Sequence, residues 1–209
     1  MDVSIVIPLY NESESLEELN EWINRSFVDH NFSYEIIYID DGSNDKSWKV
    51  IEEIAKSDNN VKGISFNRNY GKSQALRVGF DECEGRYVAT LDADLQDSPE
   101  EIPVMIDKLI SNNLDMISGW KKKRYDSYFF KTIPSLFFNM VARVFSGIKL
   151  HDFNCGIKVY KREVIKSINL YADMHRFIPI LAKNDGFNKI GEHIVKHQPR
   201  KYGISKFGN

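Results

Sequence analysis

The sequence predicts an α/β fold: one domain with a mainly parallel mixed central sheet flanked by helices. Three observations predict it. Short, β-branched apolar runs alternate with amphipathic segments in βαβα order, the pattern of a doubly wound sheet. The strand-like runs are apolar at nearly every position, as in strands covered on both faces. Polar clusters fall directly after those runs, and open α/β sheets gather ligands at the carboxyl ends of their strands.

The elements follow in order. VSIVIP (3–8) is the first strand, and ESLEELNEWINRSF (14–27) repeats its apolar residues at helical spacing on one stripe. EIIYID (35–40) and KSWKVIEEIAKS (46–57) repeat the unit, then VKGISF (61–66) and KSQALRVGFDEC (72–83), then RYVATLD (86–92) and PEEIPVMIDKLISN (99–112). LDMISG (114–119) is a fifth strand. After it the rhythm breaks into an aromatic-rich helix (128–145), a strand GIKVY (156–160), a helix around 177–183 and a strand GEHIVKH (191–197). This half, 120–209, is expected to cover and complete a site begun by 1–119, within one domain over 1–209.

Composition sets limits. A chain of 209 residues with 42% hydrophobic content buries one substantial core. A net charge of −2 gives no general attraction to nucleic acid, so any polyanion must be met by the basic clusters KKKR (121–124) or KHQPRKYGISK (196–206). Cys83 and Cys155 stand far apart without metal spacing and read as buried small hydrophobes in a reducing compartment. No signal peptide opens the chain, and no stretch reaches the roughly 18 apolar residues of a spanning helix. The nearest candidate, 128–145, carries Lys131, Pro134, Asn139 and Arg143 and reads as interfacial or half-buried.

The rim of strand ends collects Tyr10, Asn11 and Glu12, then DDGSND (40–45), NRNYGK (67–72), DADLQD (92–97) and WKKKR (120–124). Asp92 and Asp94 flank one residue, so both carboxylates can face one side, and Gln96 adds a neutral oxygen. A hard divalent cation with phosphate ligands takes a few such oxygens, so this cluster suits Mg²⁺ or Mn²⁺ holding a diphosphate. Asp97 or Ser98 is a natural N-cap for the next helix, with Glu100 and Glu101 in its first turn. Asp40, Asp41 and Gly42 read equally as a turn with a cap and as acceptors for base N–H groups or ribose hydroxyls, with the Tyr10 ring stacked on a base.

Seven segments, IVIPLYNESESL, IDDGSNDKS, RNYGKSQAL, LDADLQDSPEE, HDFNCGIKVYKRE, HRFIP and HQPRKYGISKFG, run in order along nearly the whole chain. Together they resemble the family 2 glycosyltransferases, in the polyprenyl-phosphate branch that includes dolichyl-phosphate mannose synthase. The resemblance implies a GT-A (Rossmann-like) fold, a UDP- or GDP-linked sugar donor, a Mg²⁺ or Mn²⁺ cofactor, and inversion at the anomeric carbon on transfer to undecaprenyl or dolichyl phosphate. Carried over by position, Pro8, Tyr10, Glu12 and Asp41 hold the nucleoside with Ile39 beside it, and Asp92 and Ala93 lie along the donor. Asp94 and Gln96 ligate the metal, and Lys121, or Trp120 beside it, takes a donor-contacting position. Arg200, Ser205 and Lys206 match the phosphate-binding tail, where Phe207 stands in place of the family's usual tyrosine. Asp152 falls near the acceptor, and Arg176 meets the lipid phosphate or braces the acceptor loop.

The catalytic set implied is Asp94, Asp152, Arg200 and Lys206. The metal, Arg200 and Lys206 offset charge on the departing diphosphate. Asp152 positions the acceptor or takes its proton, and Ser205 lies on the acceptor side. A lipid phosphate, with a second pKa of about 6, is already largely anionic, so its attack needs no strong general base. His151, His175 and His197 read as loop or packing residues.

In the aromatic helix Phe129, Phe130, Ile133, Phe137, Met140, Val141 and Val144 share one side, ordinary core patterning, while Phe138 and Phe145 widen it. With KKKR ahead of it the same surface suits an anionic membrane. The expected place is the cytoplasmic face of a membrane, as a peripheral protein, a homo-oligomer or the companion of a membrane-anchoring partner; any spanning segment would lie beyond 209. A nucleotidyltransferase would need a glycine-rich loop after the first strand, and a dinucleotide oxidoreductase G-x-G-x-x-G; IPLYNES offers neither. A catalytically idle nucleotide-sugar-binding module and a family 2 enzyme with a non-lipid glycan acceptor stay open as alternatives.

Overall fold

The computed structural model describes the backbone of residues 1–122 and 133–202, and the side chains of all of these except 133–138. Its strands are β1 Val3–Leu9, β2 Tyr34–Asp40, β3 Val61–Ser65, β4 Tyr87–Thr90, β5 Met116–Trp120, β6 Lys158–Lys161 and β7 Ile190–Ile194. Its helices are α1 Leu16–Phe27, α2 Ser47–Ser57, α3 Lys72–Glu82, α4 Glu101–Ser111, α5 Ile133–Ser146, α6 Arg162–Ser167 and α7 Ile178–Asn184, with a 3₁₀ turn over Met174–Phe177. All seven strands join one sheet in the order β3-β2-β1-β4-β6-β5-β7. The pairs β1/β2, β2/β3, β1/β4 and β5/β7 are parallel. Strand β6 runs against both its neighbours, and it draws strands from both halves of the sequence into the same sheet.

The two-faced apolar pattern of the strands has its expected result. Along β1 and β2, Val3, Ile5, Ile7, Ile36 and Tyr38 face one core with α1, α2 and α4. Val6, Ile37 and Ile39 face the other with α3, α6 and α7, as alternation along a strand requires. Helix α3 lies close enough that a Cβ on Gly79 would collide with the Val6 side chain. A glycine that weakens a helix interior by about 1 kcal/mol is what permits this contact.

Several expected boundaries shift. Strand β4 ends at Thr90, so Asp92 belongs to the loop beyond it. Strand β7 ends at Ile194, and His197 makes only an isolated bridge to Asp97. Helix α6 was not anticipated. Neither Asp97 nor Ser98 caps α4: its N-cap position is Glu100, because the Asp97 carboxylate is drawn to a lysine on the next strand's loop. Of the stripe expected of α5, Phe129 and Phe130 and the side chains of Ile133, Phe137 and Phe138 lie outside the described residues, and Met140 and Val144 depart from it. Asn139 and Ala142 turn inward, Asn139 accepting from the Phe153 amide at 3.1 Å, while Met140, Val144 and Phe145 are 54%, 75% and 87% exposed. Among the described residues no helix is long and apolar enough to cross a membrane.

Candidate active site

The loops after β1 and β2 are stitched together at the rim. The Asn11 amide donates to Ser43 Oγ at 2.8 Å, the Asn44 amide to Asn11 Oδ1 at 2.7 Å, and the Glu12 amide to Ser47 Oγ at 2.9 Å. Asn44 Nδ2 reaches the Tyr10 hydroxyl at 3.2 Å, so Tyr10 is anchored by its polar tip. Gly42, at φ +71°, packs on the Arg68 and Asn69 backbone where a Cβ would collide, so conformation and space both demand glycine. Asp41 accepts the Tyr70 amide at 2.7 Å and the Gly71 amide at 2.9 Å, one on each carboxylate oxygen. Burial raises its pKa against those two donors. Pro8, Ile39 and Ala93 are buried, Pro8 in register with Ile39, while Ile39 and Ala93 pack into different cores.

The acidic loop after β4 separates its carboxylates by environment. Asp92 Oδ1 lies 2.5 Å from Lys72 Nζ, and its carboxylate rests in space that a Cβ on Gly156 would fill. Burial works against its charge, yet Lys72, Lys121 and Lys158 bring its pKa down to about 2. Asp94 goes the other way: burial and the neighbouring Asp92 charge push it up to about 6 despite Arg200. Asp97, 1% exposed, pairs with Lys121 Nζ at 2.8 Å and lies 3.4 Å from His197 Nδ1. Burial opposes charge on Asp97, and Lys121 and His197 outweigh it and lower its pKa; the same pairing with Asp97 lifts Lys121 above its usual range. Lys121, given a donor-contacting position by resemblance, is here paired with Asp97 of the acidic loop.

The last described segment folds back onto this loop. The Gln198 amide donates to the Gln96 carbonyl at 2.8 Å, and Gln96 Nε2 returns a bond to the Gln198 carbonyl at 3.3 Å. Arg200 follows: Nη2 donates to Asp94 Oδ2 at 2.8 Å, and Nη1 reaches both Glu12 oxygens at 3.2 and 3.3 Å. Ser205 and Lys206 lie outside the described residues, as does the KKKR run beyond Lys122.

Asp152 is buried, with Oδ1 accepting the Asn154 amide at 3.0 Å and its own amide donating to Glu192 Oε1 at 3.2 Å. His151 stacks on Trp120 with ring centroids 4.1 Å apart. Arg176 is exposed on the 3₁₀ turn, which is pinned where the His175 amide donates to Ser73 Oγ at 3.0 Å. Burial, and then the charges of Lys72, Arg176 and Lys158, push His175 down to about 4.

Sequence reasoning missed Lys72 and Lys158. Lys158 sits buried in β6 opposite Thr90 and Ser118 and donates to the Cys155 carbonyl; burial lowers its pKa, while Asp152 and Asp92 counter. Its signal was a lone charge inside the apolar run GIKVY. Lys72 lies within RNYGKSQAL, where nothing local in the sequence indicates its partner.

Among the described residues no group of three or more His, Cys, Asp or Glu side chains forms a metal cage. What the loop offers is Asp94, its pKa raised by burial and then by the neighbouring Asp92 and Asp97 charges, with Gln96 beside it. One or two protein oxygens with the balance from phosphates and water is the usual donor set of Mg²⁺, so the residues fit a metal shared with a diphosphate.

Residues 4–168 match the family described as Glycosyl transferase family 2. Over 210 residues the chain is 36% identical to dodecaprenyl-phosphate galacturonate synthase of Rhizobium johnstonii, covering 100% of this chain and 62% of that protein. It is 40% identical over 206 residues to undecaprenyl-phosphate 4-deoxy-4-formamido-L-arabinose transferase of Proteus mirabilis, covering 98% of this chain and 62% of the relative. The chain thus spans under two thirds of the length of these relatives. The fold is similar to that of glucosyl-3-phosphoglycerate synthase from Mycobacterium tuberculosis crystallised with Mn²⁺ and UDP-glucose, with TM-score 0.73 and 19% identity over 96% of this chain and 72% of that one. The architecture is of the GT-A type.

Proposed function

This chain belongs to glycosyl transferase family 2, and from that premise we propose that it moves a sugar, with inversion, from a UDP- or GDP-linked donor to a polyprenyl phosphate. One observation carries the reading: Arg200 reaches across the ends of β1 and β4 to hold Glu12 and Asp94 together. An arginine gathered onto two rim acids is a cation positioned to meet phosphate oxygens when a donor enters. The names of the relatives, both concerned with polyprenyl phosphates, supply the acceptor class.

In this reading 1–119 binds the nucleotide-sugar and 120–209 serves the acceptor. Tyr10, Glu12, Asp41 and Pro8 are assigned to the nucleoside end with Ile39 beside them, and Asp92 and Ala93 along the donor. Asp94 and Gln96 hold Mg²⁺ or Mn²⁺, which supplies Lewis-acid charge to the diphosphate when bound. Arg200 moves from the carboxylates to the diphosphate oxygens, with Lys206 assigned beside it. A non-bridging oxygen of the lipid phosphate attacks the anomeric carbon from the face opposite the diphosphate. The anomeric C–O bond breaks, and its electron pair leaves with the nucleoside diphosphate. Asp152 orients the acceptor, its own carboxylate fixed by the Asn154 amide; Arg176 and Ser205 complete the acceptor side. The outward residues Met140, Val144 and Phe145 of α5, with exposed Arg143 and Lys149, form the surface offered to an anionic membrane.

The test is a panel of UDP- and GDP-sugars against undecaprenyl phosphate with Mg²⁺ or Mn²⁺. The expected result is a glycosylated lipid phosphate with one or a few donors, abolished by chelation. Donor turnover only with non-lipid acceptors, or none with any acceptor, would overturn the proposal.

A further inference from the structure

We infer that Lys72 is a phosphate-binding residue of this site, and that Asp92, seated against Gly156, acts by positioning it. The inference rests on the transferase reading above and adds to it a residue and a role. Three independent features converge on Lys72. The loop before it is fastened from below, since both oxygens of Asp41 hold the Tyr70 and Gly71 amides and Gly71 turns at φ +94° to begin α3. Its ammonium is then fastened from the side by Asp92 Oδ1 at 2.5 Å. Asp92 in turn has its place because residue 156 carries no side chain: a Cβ there would collide with the carboxylate.

Two acids named for the donor by resemblance are thereby engaged, in this structure, in holding one lysine at the rim. Stability gives a poor account of so much scaffold, because pairs of this partial exposure, with side chains 25% and 31% exposed, contribute little to it. Location gives a better one. Lys72 is paired with Asp92, and the turn that carries Arg176 is fastened to Ser73, the residue next to Lys72, so that the charges of Lys72, Arg176 and Lys158 all act on His175. An ammonium carries three donors; Asp92 takes one and fixes the direction of the others. The chemistry recognised is a phosphate oxygen, from either the donor diphosphate or the lipid monophosphate.

The experiment compares wild type with Lys72→Ala, Lys72→Gln, Lys72→Arg and Gly156→Ala. UDP and GDP affinity is read by calorimetry with Mn²⁺, and kcat and KM for the lipid are read at saturating donor. Lys72→Ala and Lys72→Gln should each lose about a hundredfold where the phosphate is met, and Lys72→Arg should recover most of it. A loss in nucleotide affinity identifies the diphosphate as the partner; a loss confined to lipid KM or kcat identifies the monophosphate. Gly156→Ala should produce the defect in the same parameter, and if it melts below assay temperature Asp92→Asn takes its place. Nucleotide affinity and transfer both within twofold of wild type in Lys72→Gln would overturn the inference. A Gly156 or Asp92 defect in a different parameter would overturn the positioning role. If wild type itself transfers nothing to lipid, the transferase reading fails by itself, and unchanged UDP and GDP affinity in Lys72→Ala then counts against Lys72.

Discussion

Replacing Lys121 by methionine removes the ammonium while keeping most of the side chain's length and apolar bulk. The partner left behind is Asp97, 1% exposed, whose carboxylate then has His197 Nδ1 at 3.4 Å as its remaining ring partner in place of an ammonium at 2.8 Å. Stranding one member of a buried pair costs about 3–5 kcal/mol; the nearby imidazole and the 14% exposure of Lys121 place this case at about 3 kcal/mol. For a domain of this size that is a fall in Tm of roughly 6–12 °C. Chemical and thermal denaturation at neutral pH, with chelator present, measure it. The double variant Asp97→Asn/Lys121→Met removes the stranded charge as well and should recover more than half of the loss. A Lys121→Met protein within about 0.5 kcal/mol of wild type, the usual range of an inconsequential surface change, would refute the reasoning. So would a double variant less stable than Lys121→Met alone.

Arg200→Ala should lower turnover by about a hundredfold, as when a single preorganised electrostatic contact is lost, and should also lower the melting point, since Glu12 and Asp94 lose their shared cation; near-normal transfer would remove Arg200 from the diphosphate. Asp94→Asn should stabilise the metal-free protein above pH 6 and leave it unchanged below pH 4. The folded pKa of Asp94 is raised from 3.8 to about 6, so its stabilising proton is fully present below the unfolded pKa and is lost as pH rises through the folded one. Equal stability of the two proteins in chelator at pH 8 would contradict that sign. Finally, Val144→Ser/Phe145→Ser should reduce flotation with anionic liposomes at low salt, and wild-type flotation should weaken at high salt; protein that never floats would return α5 to a surface without a membrane role.

The strands and their helices were legible because each is a local pattern: β1 and β2 are apolar on both faces, and α1, α2 and α4 each carry one stripe. The place of β6 was not. Its antiparallel entry between β4 and β5 is set by pairings such as Thr90 with Lys158 and Ser118 with Lys158, which join residues tens of positions apart and leave no periodic trace. Helix α6 is six residues long, too short for a stripe. Asp97 misled for a related reason: cap preference is a local rule, and a lysine from the next strand's loop overrode it. The site shows the same division. The acids of DADLQD announced themselves as a cluster, whereas the separation of Asp92 from Asp94, one held by Lys72 and the other by Arg200, depends on cations from α3 and from the tail.

Glu12 and Arg200 are joined across 188 positions of sequence. Contacts of that span close the largest loops and form after the local ones that nucleate a domain. During refolding the sheet therefore brings Glu12 and Asp94 together before the guanidinium that balances them arrives. For that interval the chain holds a concentrated patch of negative charge open to solvent, and nucleotide affinity should be the last property regained, later than the far-ultraviolet signal of the helices. An added divalent cation would shield the patch in the meantime, and so would act on the order in which the molecule assembles as well as on what it does once assembled.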